Sequence, residues 1–174
     1  FHSLVREGVV PMNDVTTVVE GSIHINATPS TVFSYCLDPQ RLFAGDPKHV
    51  VDADVVPGGV GTTAHLSMNM GVLEEADRIE YVDVVGDQRI VIAMHPTMSL
   101  GGSKGVHRET ALYTLTHEFE SEDEGTRMTL RVQVHDPPLV ERVIQRFEGR
   151  GAERMVRNRL ERVAHAVEVP ATPE

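Results

Sequence analysis

Residues 137–168 constrain the fold more than any other stretch of the chain. The segment opens on Pro137-Pro138 and then repeats apolar side chains at spacings near three and four, from Leu139, Val140 and Val143 through Phe147 to Met155, Val156, Leu160 and Val163. That spacing predicts one long amphipathic helix with a wide apolar face. A face of that width is stable only against a second apolar surface. Gly149 and Gly151 fall in the middle of the segment, where each costs a helix about 1 kcal/mol relative to Ala. A bend is therefore expected there, turning Phe147 and Met155 toward the interior at different angles.

The second surface is written upstream in period-two patterns. Residues 15–26 read as a strand, with Val19, Ile23 and Ile25 on one face and Glu20, Ser22 and His24 on the other. Thr28-Pro29 then signals a helix start, Thr28 as N-cap and Pro29 in the first turn, with Val32, Phe33 and Cys36 as its apolar patch. Asp38-Pro39 closes that helix, and a shorter one is expected over about 39–45. Six further strands are expected at 49–56, 61–70, 72–84, 88–95, 107–121 and 125–135. Pro57-Gly58-Gly59, Met70-Gly71, Gly86-Asp87 and Glu124-Gly125 supply turn chemistry between them. Residues 96–106, with Gly101, Gly102 and Gly105, read as a connection that serves either as a plain link or as a lid. The order is strand, two short helices, six strands, long helix. This is an α+β chain in which a seven-stranded antiparallel sheet wraps around the apolar face of the C-terminal helix.

Composition narrows the function classes. A chain of 174 residues with 40% hydrophobic and 24% charged side chains fits one globular domain, placed at 15–168, with residues 1–14 as an unstructured leader or remnant and 169–174 as a tail. No apolar run reaches the roughly 20 residues that span a bilayer, and no secretory signal pattern opens the chain. Membrane insertion is not expected, and a lone Cys36 fits a reducing cytoplasm. A net charge of −10 argues against nucleic acid as a partner. The helix segment is an exception to that acidity, with seven arginines from Arg142 to Arg162 against five glutamates. Its charged face reads first as solvated and laced with pairs such as Glu153 with Arg157, and second as a docking stripe for an acidic protein partner. The nine histidines show no HxH or HExxH spacing, and Gly58-Gly59-Val60-Gly61 joins two strands without opening a helix. Neither a metal nor a nucleotide cofactor is expected.

The block GSIHINATPSTVFSYCLDPQRLFAGD at 21–46, the closing strand TRMTLRVQV at 126–134 and the final helix resemble the START/Bet v 1-like (SRPBCC) superfamily, which includes polyketide cyclase/dehydrase-like proteins. The resemblance spans about 15–168. It implies a helix-grip fold with a deep cavity between sheet and long helix that accepts a hydrophobic or amphipathic small molecule. Strand alternation is compatible with that cavity: Leu66, Met68 and Met70 share a face of the third strand, and Met128 and Leu130 share one of the seventh. On the sixth strand Tyr113, Leu115 and His117 share a face. Met94 from the fifth strand, with Phe147 and Met155 from the helix, completes the apolar set. Flexible Met side chains suit varied ligands and equally fill ordinary cores.

Polar residues of inward parity discriminate more. In the fourth strand Glu75, Asp77, Tyr81 and Asp83 share a parity with Ile79, and they face the cavity if no bulge shifts the register. They then orient a ligand or, with His117, form an acid–base set. In the opposing reading the carboxylates stand in water beyond the rim and His117 is a hydrogen-bonded core residue. Two functions remain open: a binding or carrier module for a lipid or polyketide-like metabolite, and a polyketide aromatase/cyclase or dehydratase in which Asp77, Tyr81, Tyr113 or His117 move protons.

Overall fold

The computed structural model describes residues 15–70, 73–100, 111–147 and 151–168. The expected leader, the tail, the lid residues 101–106 and the start of the strand expected from 107 lie outside the described residues. Strand β1 (Thr16–Ile25) is followed by α1 (Pro29–Cys36) and α2 (Pro39–Leu42). Strands β2 (His49–Asp54), β3 (Thr63–Met70), β4 (Leu73–Val85), β5 (Arg89–Leu100), β6 (Tyr113–Glu122) and β7 (Gly125–Val134) come next. A 3-10 turn at Pro137–Leu139 leads into α3 (Val140–Arg146) and α4 (Gly151–Glu168). Every strand pair is antiparallel, and the sheet runs β1-β7-β6-β5-β4-β3-β2. The two helices α1 and α2 therefore carry the chain from one edge of the sheet to the other.

Local chemistry explains the element ends. The Thr28 hydroxyl accepts from the Thr31 N–H at 3.3 Å, and the Asp38 carboxylate accepts from the Gln40 N–H at 2.9 Å, each capping a helix whose first turn holds a proline. The β6–β7 turn sits one residue earlier than Glu124-Gly125. Asp123 and Glu124 take φ of 44° and 66°, the two left-handed positions of a tight hairpin loop, and Gly125 begins β7 opposite Glu122. Glycine is required there because a Cβ would stand 2.3 Å from the Ile25 carbonyl oxygen.

Two expectations are corrected. β5 does not stop before Pro96 but continues to Leu100. Beyond Met94 it pairs, among the described residues, only with β4, and a strand with one free side tolerates the missing proline N–H. In β4 the register shifts between Tyr81 and Asp83, leaving Val82 exposed and Asp83 half-exposed in an ion pair with Arg89 at 2.8 Å. Asp83 therefore does not face the interior. A third expectation, the bend within the long closing helix, shows as the end of α3: the Phe147 N–H donates to the Ile144 carbonyl at 3.2 Å, a three-residue reach that tightens its last turn, and α4 covers Gly151–Glu168.

The core lies between the sheet and α4. Val156, Leu160 and Val163 are 1–3% exposed, and each such burial is worth roughly 1.5–3 kcal/mol relative to exposure. α4 packs chiefly on β1, with smaller contacts to α1 and β7. Close approach is possible because Gly21 presents no side chain. A Cβ there would meet Val156 Cγ1 at 2.8 Å.

Candidate functional site

Because α4 lies over the β1 side of the sheet, the inner face of the middle strands is only partly covered by the described residues. A cavity of about 470 Å³ remains between them. Its sheet wall is Leu66 and Met68 of β3, Asp77 of β4, Met94 of β5, and Tyr113 and Leu115 of β6. Phe147, Gly151 and Met155 close it from the helix side. The Phe147 and Tyr113 rings meet edge to face at 5.5 Å and 68°, a favourable aromatic geometry. A second concavity of about 510 Å³ runs where β1 meets α4, past Glu20, Gly21, Glu153, Arg157 and Glu161. That groove has exposed, charged flanks, whereas the cavity, open to solvent past Arg154 and Asn158, combines buried apolar walls with a few convergent polar groups, the usual make-up of a small-molecule site.

The polar end is built by the loop after α2 and by α4. Lys48 pairs with Asp77 at 2.5 Å, the carboxylate being 1% exposed. Asp46 receives two arginines: Arg159 Nη2 donates to Oδ2 at 2.7 Å, and Arg162 Nη2 donates to Oδ1. Arg159 is 3% exposed, and its guanidinium carbon lies 4.4 Å from the centre of the Phe43 ring, a cation–π contact. Nε and Nη1 of Arg159 and Nε of Arg162 are buried and have no hydrogen-bond partner.

Eight of the residues singled out from the sequence line this one cavity: Leu66, Met68, Asp77, Met94, Tyr113, Leu115, Phe147 and Met155. Tyr81, His117, Met128 and Leu130 are fully buried and lie outside its lining, in the packed core. The side chains of Met70 and Glu75 lie outside the described residues. Tyr81 donates its hydroxyl proton to the Cys36 carbonyl at 2.8 Å, tying β4 to the last turn of α1. His117 has the inward parity expected of it, and among the described residues its ring nitrogens meet only the backbone near Ile90 and Leu115, short of well-formed hydrogen bonds. Burial, reinforced by the positive charge of Arg159, pushes its pKa down to about 3, with the backbone near Ile90 and Leu115 acting weakly the other way. The Tyr113 hydroxyl is pushed well above the usual tyrosine range, first by burial and then by the Asp77 charge. The Cys36 thiol is raised to about 12 by burial and stays protonated.

Sequence reasoning missed the arginines. Arg159 and Arg162 were assigned to a solvated face, yet both turn to Asp46. The signal lay in the spacing of Met155, Arg159 and Arg162, which runs at i, i+4 and i+7 beside the apolar stripe. A side chain on that flank reaches the core boundary as readily as water.

The model of the family described as polyketide cyclase / dehydrase and lipid transport matches residues 16–168. The solution structure of a protein from Arthrobacter aurescens is similar at a TM-score of 0.63 and 14% identity, covering 87% of this chain and 86% of that one. Ms6760 from Mycobacterium smegmatis gives 0.58 at 15% identity, covering 85% and 88%. Ara h 8.0201, a Bet v 1 homologue, gives 0.57 at 16% identity, covering 88% and 97%. At such identities the likeness is one of fold. No curated protein matches the chain significantly. With the family's pattern running unbroken from β1 to the end of α4, on a sheet and helices shared with a Bet v 1 homologue, the chain belongs to the polyketide cyclase/dehydrase and lipid transport family and has its helix-grip fold.

Proposed function

We propose that the chain, acting as one unit over residues 15–168, binds a small hydrophobic molecule in the cavity between β3–β6 and α4 and shields it from water. The observation that carries this reading is the wall itself. Leu66, Met94, Tyr113 and Leu115 are each at most 4% exposed and still border about 470 Å³ of space, within the ~300–1,000 Å³ usual for small-molecule sites. Membership of a family named in part for lipid transport supports the same reading. Among the described residues no helix is long and apolar enough to cross a membrane.

The runner-up is an aromatase/cyclase or dehydratase working in the same cavity. It is favoured by Asp77, Lys48 and Tyr113 standing together on the wall. Two features weigh against it. His117, the side chain that would ordinarily titrate near neutrality, is held neutral and lies outside the lining. The Tyr113 hydroxyl is likewise a poor base at neutral pH.

The test uses N-phenyl-1-naphthylamine, an uncharged dye that fluoresces in apolar surroundings. Saturable one-to-one binding is expected, and Met155→Trp, which places a large ring at the cavity wall, should weaken it at least about tenfold while the protein still melts cooperatively. Binding that Met155→Trp leaves untouched would move the site elsewhere, and no saturable binding would end the proposal.

A further inference from the structure

The cavity holds more positive charge than its own carboxylates balance. Among its described lining residues are four cationic side chains, Lys48, Arg154, Arg159 and Arg162, and two carboxylates, Asp46 and Asp77. Lys48 and Asp77 form a pair at 2.5 Å. Asp46, itself 10% exposed, is shared by Arg159 and Arg162, so that one carboxylate faces two guanidinium groups. Arg159 is nearly inaccessible to solvent, and two of its three nitrogens have no acceptor. A buried cation with unused donors is costly, because protein interior replaces only part of the hydration that the charge has lost. The Phe43 ring offsets part of that loss. The field of Arg159 is felt beyond Asp46: it opposes the rise that burial causes at Cys36, Tyr81 and Tyr113 and adds to the fall at His117. In a chain of net charge −10, a local excess of cations against apolar walls is not explained by composition.

We infer that the ligand is an amphipathic monocarboxylate, its apolar body against Leu66, Met94 and Leu115 and its carboxylate at the Arg159 end of the cavity. The inference rests on the reading that the cavity holds an apolar molecule, and adds the charge of the molecule's head. Arg154 is exposed and screened by solvent and Lys48 is paired with Asp77, so the excess in the enclosed part of the cavity is the one guanidinium at Asp46, which calls for one negative charge. A neutral alcohol leaves the excess unbalanced, and a phosphate dianion overshoots it. A carboxylate at this end supplies the missing charge and, once the Arg159 side chain turns toward it, an acceptor for N–H groups that are enclosed in this structure, and charge-assisted hydrogen bonds are among the stronger polar contacts available to a protein.

The test is calorimetric titration of the full chain at pH 8 with decanoate and with 1-decanol, two ligands of equal chain length that differ in the charge of the head. Decanoate is expected to bind at least about tenfold more tightly. Arg159→Met leaves Asp46 paired with Arg162 and should bring decanoate down to the affinity of decanol. If that variant does not fold, Arg159→Lys keeps the charge beside Asp46 while removing the extra donors, and should narrow the preference. Equal affinity of the two ligands in the wild-type protein would overturn the assignment of an anionic head and leave apolar binding standing. Failure of both ligands to bind would overturn the cavity reading as well. A preference for decanoate that persists in Arg159→Met would overturn the role of Arg159.

Discussion

His117 and Arg159 are both deeply buried polar side chains, and burial acts on them in opposite ways. The imidazole can shed its charge and does so, whereas the guanidinium cannot and recruits Asp46 and the Phe43 ring instead. The first has a consequence for stability. A histidine with a pKa near 6.5 in the unfolded chain and about 3 in the folded one is neutral in both states above pH 6.5 and contributes no pH dependence there. Below pH 6.5 the unfolded state takes up a proton that the native state refuses, so stability falls as pH drops from about 6.5 toward about 3, by up to about 1.4 kcal/mol per pH unit. His117→Leu, which removes the titration and the two buried ring nitrogens together, should flatten that decline. Thermal melts between pH 7 and pH 4.5 check it, and parallel declines for wild type and variant would show that His117 does not titrate as described. The inward direction of His117 was legible from strand alternation. The poor hydrogen bonding of its ring was not, because how well a backbone group is aligned depends on the path of the neighbouring strands. Asp83 was misread for a similar reason: a one-residue bulge after Tyr81 reverses the face, and nothing in DRIEYVDVV at 77–85 announces it.

Among elements, the contact of α4 with β1 is open to disruption by a single change. Gly21 lets the helix settle on the strand, and Val156 and Leu160 occupy the space a side chain would need, at 2.8 and 3.3 Å from an added Cβ. Gly21→Val therefore has to displace α4 or force Val156 from its rotamer. A loss of about 1–3 kcal/mol is expected, read as a lower denaturation midpoint in urea. An unchanged midpoint would mean that α4 does not pack on β1 in this way. The two short helices and their caps, the meander and the amphipathic stripe of α4 were all readable, since each rests on local spacing and on Thr, Asp, Pro and Gly at element ends. The division of the closing helix was foreshadowed by Gly149 and Gly151, although its first piece already ends at Arg146. The continuation of β5 through Pro96 was hidden, because only the pairing pattern reveals that one side of the strand needs no proline N–H.

At the level of the whole molecule, the fold places a covered half next to an uncovered one. α4 seals β1 and part of β7, and the middle of the sheet is left facing a cavity with an apolar wall and a cationic end. The apolar wall could be anticipated from Leu66, Met68, Met94 and Leu115, since alternation alone sets their side. The cationic end could not, because Asp46 and Arg159 are 113 residues apart and only the completed chain path brings them together. The central claim is that a ligand occupies this interior space rather than the surface groove between β1 and α4, and methyl-resolved NMR with N-phenyl-1-naphthylamine tests it most directly. Saturating shifts are expected at the methyl groups of Leu66, Met68, Met94, Leu115 and Met155, with those of Val18, Val19 and Ile23 at rest. Shifts confined to Val18, Val19 and Ile23, or none that saturate, would contradict it.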